Sequence, residues 1–328
     1  MSRVSFAWES SCLAALAFCL AGPAAAQTYT TFTVSGAVST AAAAINPKGT
    51  VTGSYTDSHG KVHGFVRTPD GTITSFDPQG SSLTAPSGID KNGTIAGTWT
   101  DSGSVRHGFV RAPDGTITSF DPANSTDTTA AAIHGKIVGA FHVGAEIRGY
   151  LRSHGGHFQK FHVPQSDTIT PTDINGVETV TGDYLDRHQV MHGFIRNPDG
   201  SFVTFDPTGA TSTAPTGINR DGIVTGRYDS SGDHGFLRLA DGTIASFDVG
   251  GALATMPAGI NTKGVIAGSY TDADQNLRGF VRDTDGTLTL VDVPDAQSTV
   301  PVAISNKGVI TGTYANEDGT GGSFVRTP

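Results

Sequence analysis

Five of the chain's 11 histidines, His134, His142, His154, His157 and His162, crowd into residues 129–167. Imidazole is both a common metal ligand and the usual general base near neutral pH. His154-Gly155-Gly156-His157 replaces a Pro-Asp-Gly turn found at the equivalent point elsewhere, and Arg148 and Arg152 add positive charge. A zinc site needs three or four ligands converging on one point. Placed on strands, His134, His154 and His157 fall toward one edge of a sheet, and His142 and His162 toward the other. All five therefore cannot meet. His134, His154 and His157 are the candidate metal ligands, against the plainer reading of scattered surface histidines. His142 and His162 are candidate ligand contacts.

Asp173 is a second anomaly. The residues in its place in other repeats are small: Ala44, Gly88, Ala132, Gly217, Gly259 and Ala303. A carboxylate where neighbours need small side chains must be solvated by a channel or paired. Asp173 with His134 thus defines a candidate channel site. Pairing with an arginine or a backbone amide is the alternative.

Two further positions recur with chemical potential. A Gly-x-aromatic element ends at Tyr55, Trp99, Phe141, Tyr184, Tyr228, Tyr270 and Tyr314. Such rings either pack in a core or offer a flat platform for sugars. Beside the longer loops, Tyr55, Trp99, Tyr184, Tyr228 and Tyr270 are candidate carbohydrate contacts. An arginine also recurs, at 67, 111, 152, 196, 238, 282 and 326, two residues after an aromatic and on the same strand face. Buried, its guanidinium needs carboxylate or carbonyl partners, and a structural tie repeated in each unit fits better than a ring of anion sites.

The elements that position these residues follow from an internal repeat. Ile45, Ile89, Ile133, Ile174, Ile218, Ile260 and Ile304 mark it, and Phe65, Phe109, Tyr150, Phe194, Phe236, Phe280 and Phe324 keep step with them. Residues 85–122 show one copy as four short strand-like runs separated by Asp-x-x-Gly, a loop, and Pro-Asp-Gly. Four strands in about 40–45 residues is a propeller blade. The seventh copy, 300–328, lacks its fourth strand, and residues 28–36 supply a strand belonging to no complete copy. The sequence therefore predicts an all-β fold: one seven-bladed β-propeller of four-stranded blades over 27–328, closed by the N-terminal strand completing the last blade. An open solenoid is the alternative.

His63-Gly64-Phe65, His107-Gly108-Phe109, His192-Gly193-Phe194 and His234-Gly235-Phe236, with Ile-Asn-x-x-Gly upstream as at Ile45-Asn46, resemble the repeat of the HAF-repeat extracellular proteins, with Gly for Ala. The resemblance spans residues 41–328. It implies an exported bacterial propeller and no particular reaction. Arg148, Arg278 and Gly322 replace the triplet histidine in three copies, which argues against a catalytic role for it.

Residues 1–26 read as a signal peptide: Arg3, an apolar run from Cys12 to Leu20, and Ala24-Ala25-Ala26 before Gln27. Both cysteines lie there, so the mature chain has no thiol, and no second run is long enough to span a membrane. Export places the protein in the periplasm or outside the cell. The net charge of −9 argues against nucleic acid. No nucleophile motif or phosphate-binding glycine loop is present, and no cofactor is expected. The leading expectation is a non-catalytic binding or interaction propeller with a carbohydrate or cell-surface partner, its ligand on the long-loop face. A metal-assisted hydrolase or lyase at the central channel, and a purely structural component, are the alternatives.

Overall fold

The computed structural model describes residues 27–166 and 168–328. The expected signal segment 1–26, with both cysteines, lies outside the described residues. The 28 strands form four-stranded antiparallel blades: 39–76, 83–120, 127–161, 168–205, 212–247, 254–291, and 298–327 joined by Thr28–Phe32. Blades one and two are also linked by one parallel bridge, Val62 to Leu83. Among the described residues no helix is long and apolar enough to cross a membrane. In each blade the strands are called inner, second, third and outer, in chain order.

Local sequence accounts for this layout. In six blades the marker isoleucine ends the inner strand and a turn led by Asn, Asp or Ser follows, while in blade three the strand runs on to His134. Asn46 shows how the turn is held: its Oδ1 accepts the amides of Lys48 and Thr50, each at 3.0 Å. Gly97 in the second strand is required by space. A Cβ there would lie 2.5 Å from the Ala85 carbonyl oxygen and 2.6 Å from the Phe109 ring. Each inner strand carries a register shift, as between Pro86 and Gly88, and such bulges bend and twist a strand locally.

The core lies between blades and repeats. Phe65, Phe109, Tyr150, Phe194, Phe236, Phe280 and Phe324 are fully buried. Phe109 meets the outer-strand Phe76 of the preceding blade edge-on at 5.9 Å, and the Arg111 guanidinium lies 5.0 Å from the same ring. Burying one such phenylalanine is worth roughly 1.5–3 kcal/mol, and the cation over the ring about 0.5–2 kcal/mol. Arg152, Arg196, Arg238 and Arg282 repeat the contact on Phe120, Phe161, Phe205 and Phe247. The recurrent arginine is thus an inter-blade tie. Its polar partner is the next residue's carbonyl, as Arg196 to Asn197 at 3.2 Å, and not a carboxylate.

The two ends of the chain share blade seven. Thr28–Phe32 pairs antiparallel with Ser323–Thr327. This strand stops short of the expected 28–36, because the chain turns at Val34–Ala37, with Gly36 at a φ of 75°, as at the other blade-to-blade loops. Arg67 of blade one lies 4.8 Å from the Phe32 ring. Ser323 Oγ accepts the Ala42 amide at 2.8 Å and donates to the Thr40 carbonyl at 3.1 Å. Blade one therefore meets blade seven through the same tie that joins consecutive blades.

Candidate functional site

Two regions collect polar side chains: the long-loop rim and the axial mouth on the opposite face. On the rim the triplet histidine is held in a fixed frame. His63 Nδ1 donates to Asp77 at 2.6 Å, and Nε2 faces Asp57 at 3.3 Å. Thr84, the start of the next blade, donates to the other Asp77 oxygen at 2.6 Å. His107 lies between Asp121 and Asp101, and His192 between Asp206 and Asp186. His234 bonds Asp248 at 2.9 Å. The Gly-x-aromatic ring covers each imidazole: Tyr55 on His63 at 5.0 Å, Trp99 on His107 at 4.7 Å, Tyr184 on His192 at 5.4 Å and Tyr228 on His234 at 5.3 Å.

These contacts involve four of the candidate carbohydrate residues Tyr55, Trp99, Tyr184, Tyr228 and Tyr270. Tyr55 and Trp99 stack on their imidazoles, and Tyr184 and Tyr228 lie tilted over theirs by 34° and 33°. Tyr228 and Tyr270 are buried, and the Tyr228 hydroxyl meets Ser246 Oγ at 2.9 Å. For His107, burial pushes the pKa down, but the hydrogen bonds and charges of Asp121 and Asp101 outweigh it and raise it above the ordinary 6.5. The frame recurs in four blades and is only partly accessible, as a structural tie should be.

Blade three lacks the frame. Its second hairpin is short, and Arg148 stands in the histidine's place, paired to Glu146. His162 stands in the aspartate's place and lines a small groove of about 140 Å³ with Arg148 and Arg187. His142, on the second strand, is not part of that groove. Blade three also disperses the candidate metal ligands. His134 lines the axial cavity, His154 a groove between blades two and three, and His157 a third groove beside Phe158. The end of the inner strand and the turn at 153–157 thus face different openings. Among the described residues no three His, Cys, Asp or Glu side chains are grouped to hold a metal ion.

The axial cavity, about 350 Å³, opens on the face of the Asn-x-x-Gly turns. All seven blades line it. Its wall is nearly uniform: Ile45, Ile89, Ile174, Ile218, Ile260 and Ile304. Its rim is not, because Pro47, Lys91, Gly176, Arg220, Thr262 and Asn306 take the same turn position in different blades. Asparagine links join turn to turn, as Asn175 Nδ2 to the Asn219 carbonyl at 2.9 Å. Asp173 and His134 both line this cavity, as the sequence suggested. Asp173 is held by backbone amides: one oxygen accepts Ile174 N–H at 2.8 Å and the other Ile218 N–H at 2.9 Å, across to blade five. Burial raises its pKa to about 6 although both amides act to lower it. Burial also pushes His134 down, helped by the Lys91 charge and opposed by Asp90. Its Nε2 lies 2.9 Å from where a Cβ on Gly176 would be.

No protein-family model matches the chain, and no curated protein matches it. Solved structures do. A catalytically inactive histidine-to-alanine form of virginiamycin B lyase from Staphylococcus aureus, with quinupristin, is 15% identical with a TM-score of 0.63, covering 92% of this chain and 100% of that one. The propeller domain of the Trilobed protease from Pyrococcus furiosus, described as an open velcro topology, is 9% identical with a TM-score of 0.62, over 87% and 95%. Puromycin hydrolase is 14% identical with a TM-score of 0.58, over 86% of this chain and 51% of that one. At such identities the likeness establishes the fold, and the chain is a β-propeller.

Proposed function

We propose that this chain is an exported, non-catalytic binding propeller, a closed seven-bladed ring, and that its ligand occupies the axial cavity on the short-turn face. The observation that carries the site is the contrast between wall and rim. Six blades contribute the same isoleucine to the wall, whereas the rim residue changes from blade to blade. A purely structural ring has no need of that variety, and a concave apolar site with a few placed polar groups is the usual form of a small-ligand pocket. The Thr28–Phe32 ladder and the Ser323 contacts support closure. The His-Gly-Phe triplets and the character of residues 1–26 support an exported HAF-repeat protein. A carbohydrate or cell-surface molecule stays within this reading only as a ligand at the axial mouth.

A plug tests the site. Gly259 takes the place of Asp173 in blade six, and nothing lies within 4 Å of the point its Cβ would occupy. Gly259→Phe is expected to fold normally and to lose every small-molecule hit found with wild type by saturation-transfer NMR. Hits that survive the plug place the ligand elsewhere.

A second reading, a hydrolase or lyase at the same cavity, is favoured by one observation. Asp173 and His134 share the cavity, the carboxyl pushed up and the imidazole pushed down by burial. Under that reading His134→Ala abolishes turnover of a bound compound while leaving its binding intact. Slow, His134-independent breakdown would dismiss it.

A further inference from the structure

The charge at the axial mouth has no structural explanation. Lys91 of blade two and Arg220 of blade five line the cavity and are exposed, and among the described residues neither has an ion pair or hydrogen bond to the protein. The two carboxylates lining the same cavity, Asp90 and Asp173, accept backbone amides. Asp90 Oδ1 accepts the amides of Asn92 and Thr94 at 2.8 and 2.9 Å. Asp173 uses both oxygens on the Ile174 and Ile218 amides. His134 lies against Gly176. Below the rim the wall is isoleucine.

Two unpartnered cations therefore overhang a cavity with an isoleucine wall, which Asp173 and His134 also line, in a protein of net charge −9. A cationic ligand would face those charges, and the lining carboxylates already accept backbone amides, Asp90 through one oxygen and Asp173 through both. A neutral apolar ligand would leave them unused. A ligand combining an acid group with a compact hydrocarbon body satisfies both the rim and the wall.

We propose that the axial cavity binds a small organic acid, its oxyanion at the Lys91–Arg220 rim and its hydrocarbon body against the isoleucine wall. This rests on the reading that the axial cavity is the ligand site. It assigns what that site selects. Lys91 and Arg220 are then specificity residues, and the fold does not depend on them.

Octanoate and 1-octanol test it, since they share a chain and differ in the charge of the head group. Each is titrated calorimetrically into the purified protein at fixed ionic strength. Wild type should bind one octanoate, about tenfold or more tighter than octanol, the scale of a charge-assisted contact. The Lys91→Glu/Arg220→Glu double variant should lose that advantage and keep octanol binding and the melting temperature unchanged. Equal affinity for the two compounds, or octanoate binding indifferent to the double variant, overturns the acid assignment, as does wild type that fails to bind octanoate. Octanoate binding that survives Gly259→Phe instead removes the site itself. The two failures are thus distinguishable.

Discussion

The long-loop rim and the axial mouth are built on the same seven repeats and differ in how far they keep to them. On the rim, His63, His107, His192 and His234 each meet an aspartate fourteen residues on and an aromatic ring beneath. At the mouth, Pro47, Lys91, Gly176, Arg220, Thr262 and Asn306 have only their position in common. Repetition marks residues that solve a packing problem every blade has. Its loss, inside a shared cavity, marks residues freed to meet something else. The rim histidines look more like chemistry in isolation, yet their partners lie within the fold. The mouth cations look like ordinary turn residues, yet their partners do not.

The comparison breaks most visibly in the shared core. Phe109→Ala removes a fully buried ring between blades one and two and should cost about 3–5 kcal/mol in urea denaturation. His107→Gln loses two carboxylate contacts and should cost about 1–3 kcal/mol while octanoate binding is unchanged. Its pH dependence has a definite sign. The folded pKa of His107 is raised, so its stabilisation is complete below the unfolded value of about 6.5 and fades as pH rises through the folded value. The stability gap between wild type and His107→Gln should thus be larger at pH 6 than at pH 9.

Asp173 should behave in the opposite sense to a salt-bridged carboxylate. Its folded pKa of about 6 exceeds the ordinary 3.8, so the wild-type fold takes up a proton that the unfolded chain does not. Wild type should gain stability relative to Asp173→Ala as pH falls from 7 to 5, by at most about 1.4 kcal/mol per pH unit. Wild type that loses stability relative to Asp173→Ala over that range contradicts the assignment. Gly259→Phe should change stability least, within about 0.5 kcal/mol, as a residue entering open space at an ordinary backbone angle.

The fold was legible because Ile89 and Phe109 recur with their counterparts at nearly constant spacing and because strand geometry follows from local turns. Residues 300–328 and 28–36 pointed to a shared blade for the same reason. The aspartate partner was also readable in principle, since His107 and Asp121 keep a fixed separation, but separation alone did not reveal that Trp99 would cover the imidazole. That contact comes from cross-strand pairing, Trp99 opposite His107. Asp173 stood out as a charge among small residues, and it lines the axial cavity, held by two backbone amides. Lys91 and Arg220 did not stand out. Each obeys the local demands of a turn, and only the arrangement of blades brings their turns around one cavity.

One titration tests the central claim that ligand selection lies at the axial mouth and structural repetition at the rim: octanoate into wild type, His107→Gln and Gly259→Phe, each with its melting temperature. His107→Gln should melt earlier and bind as wild type does, and Gly259→Phe should melt as wild type does and not bind. Binding lost in the first and kept in the second would contradict that claim.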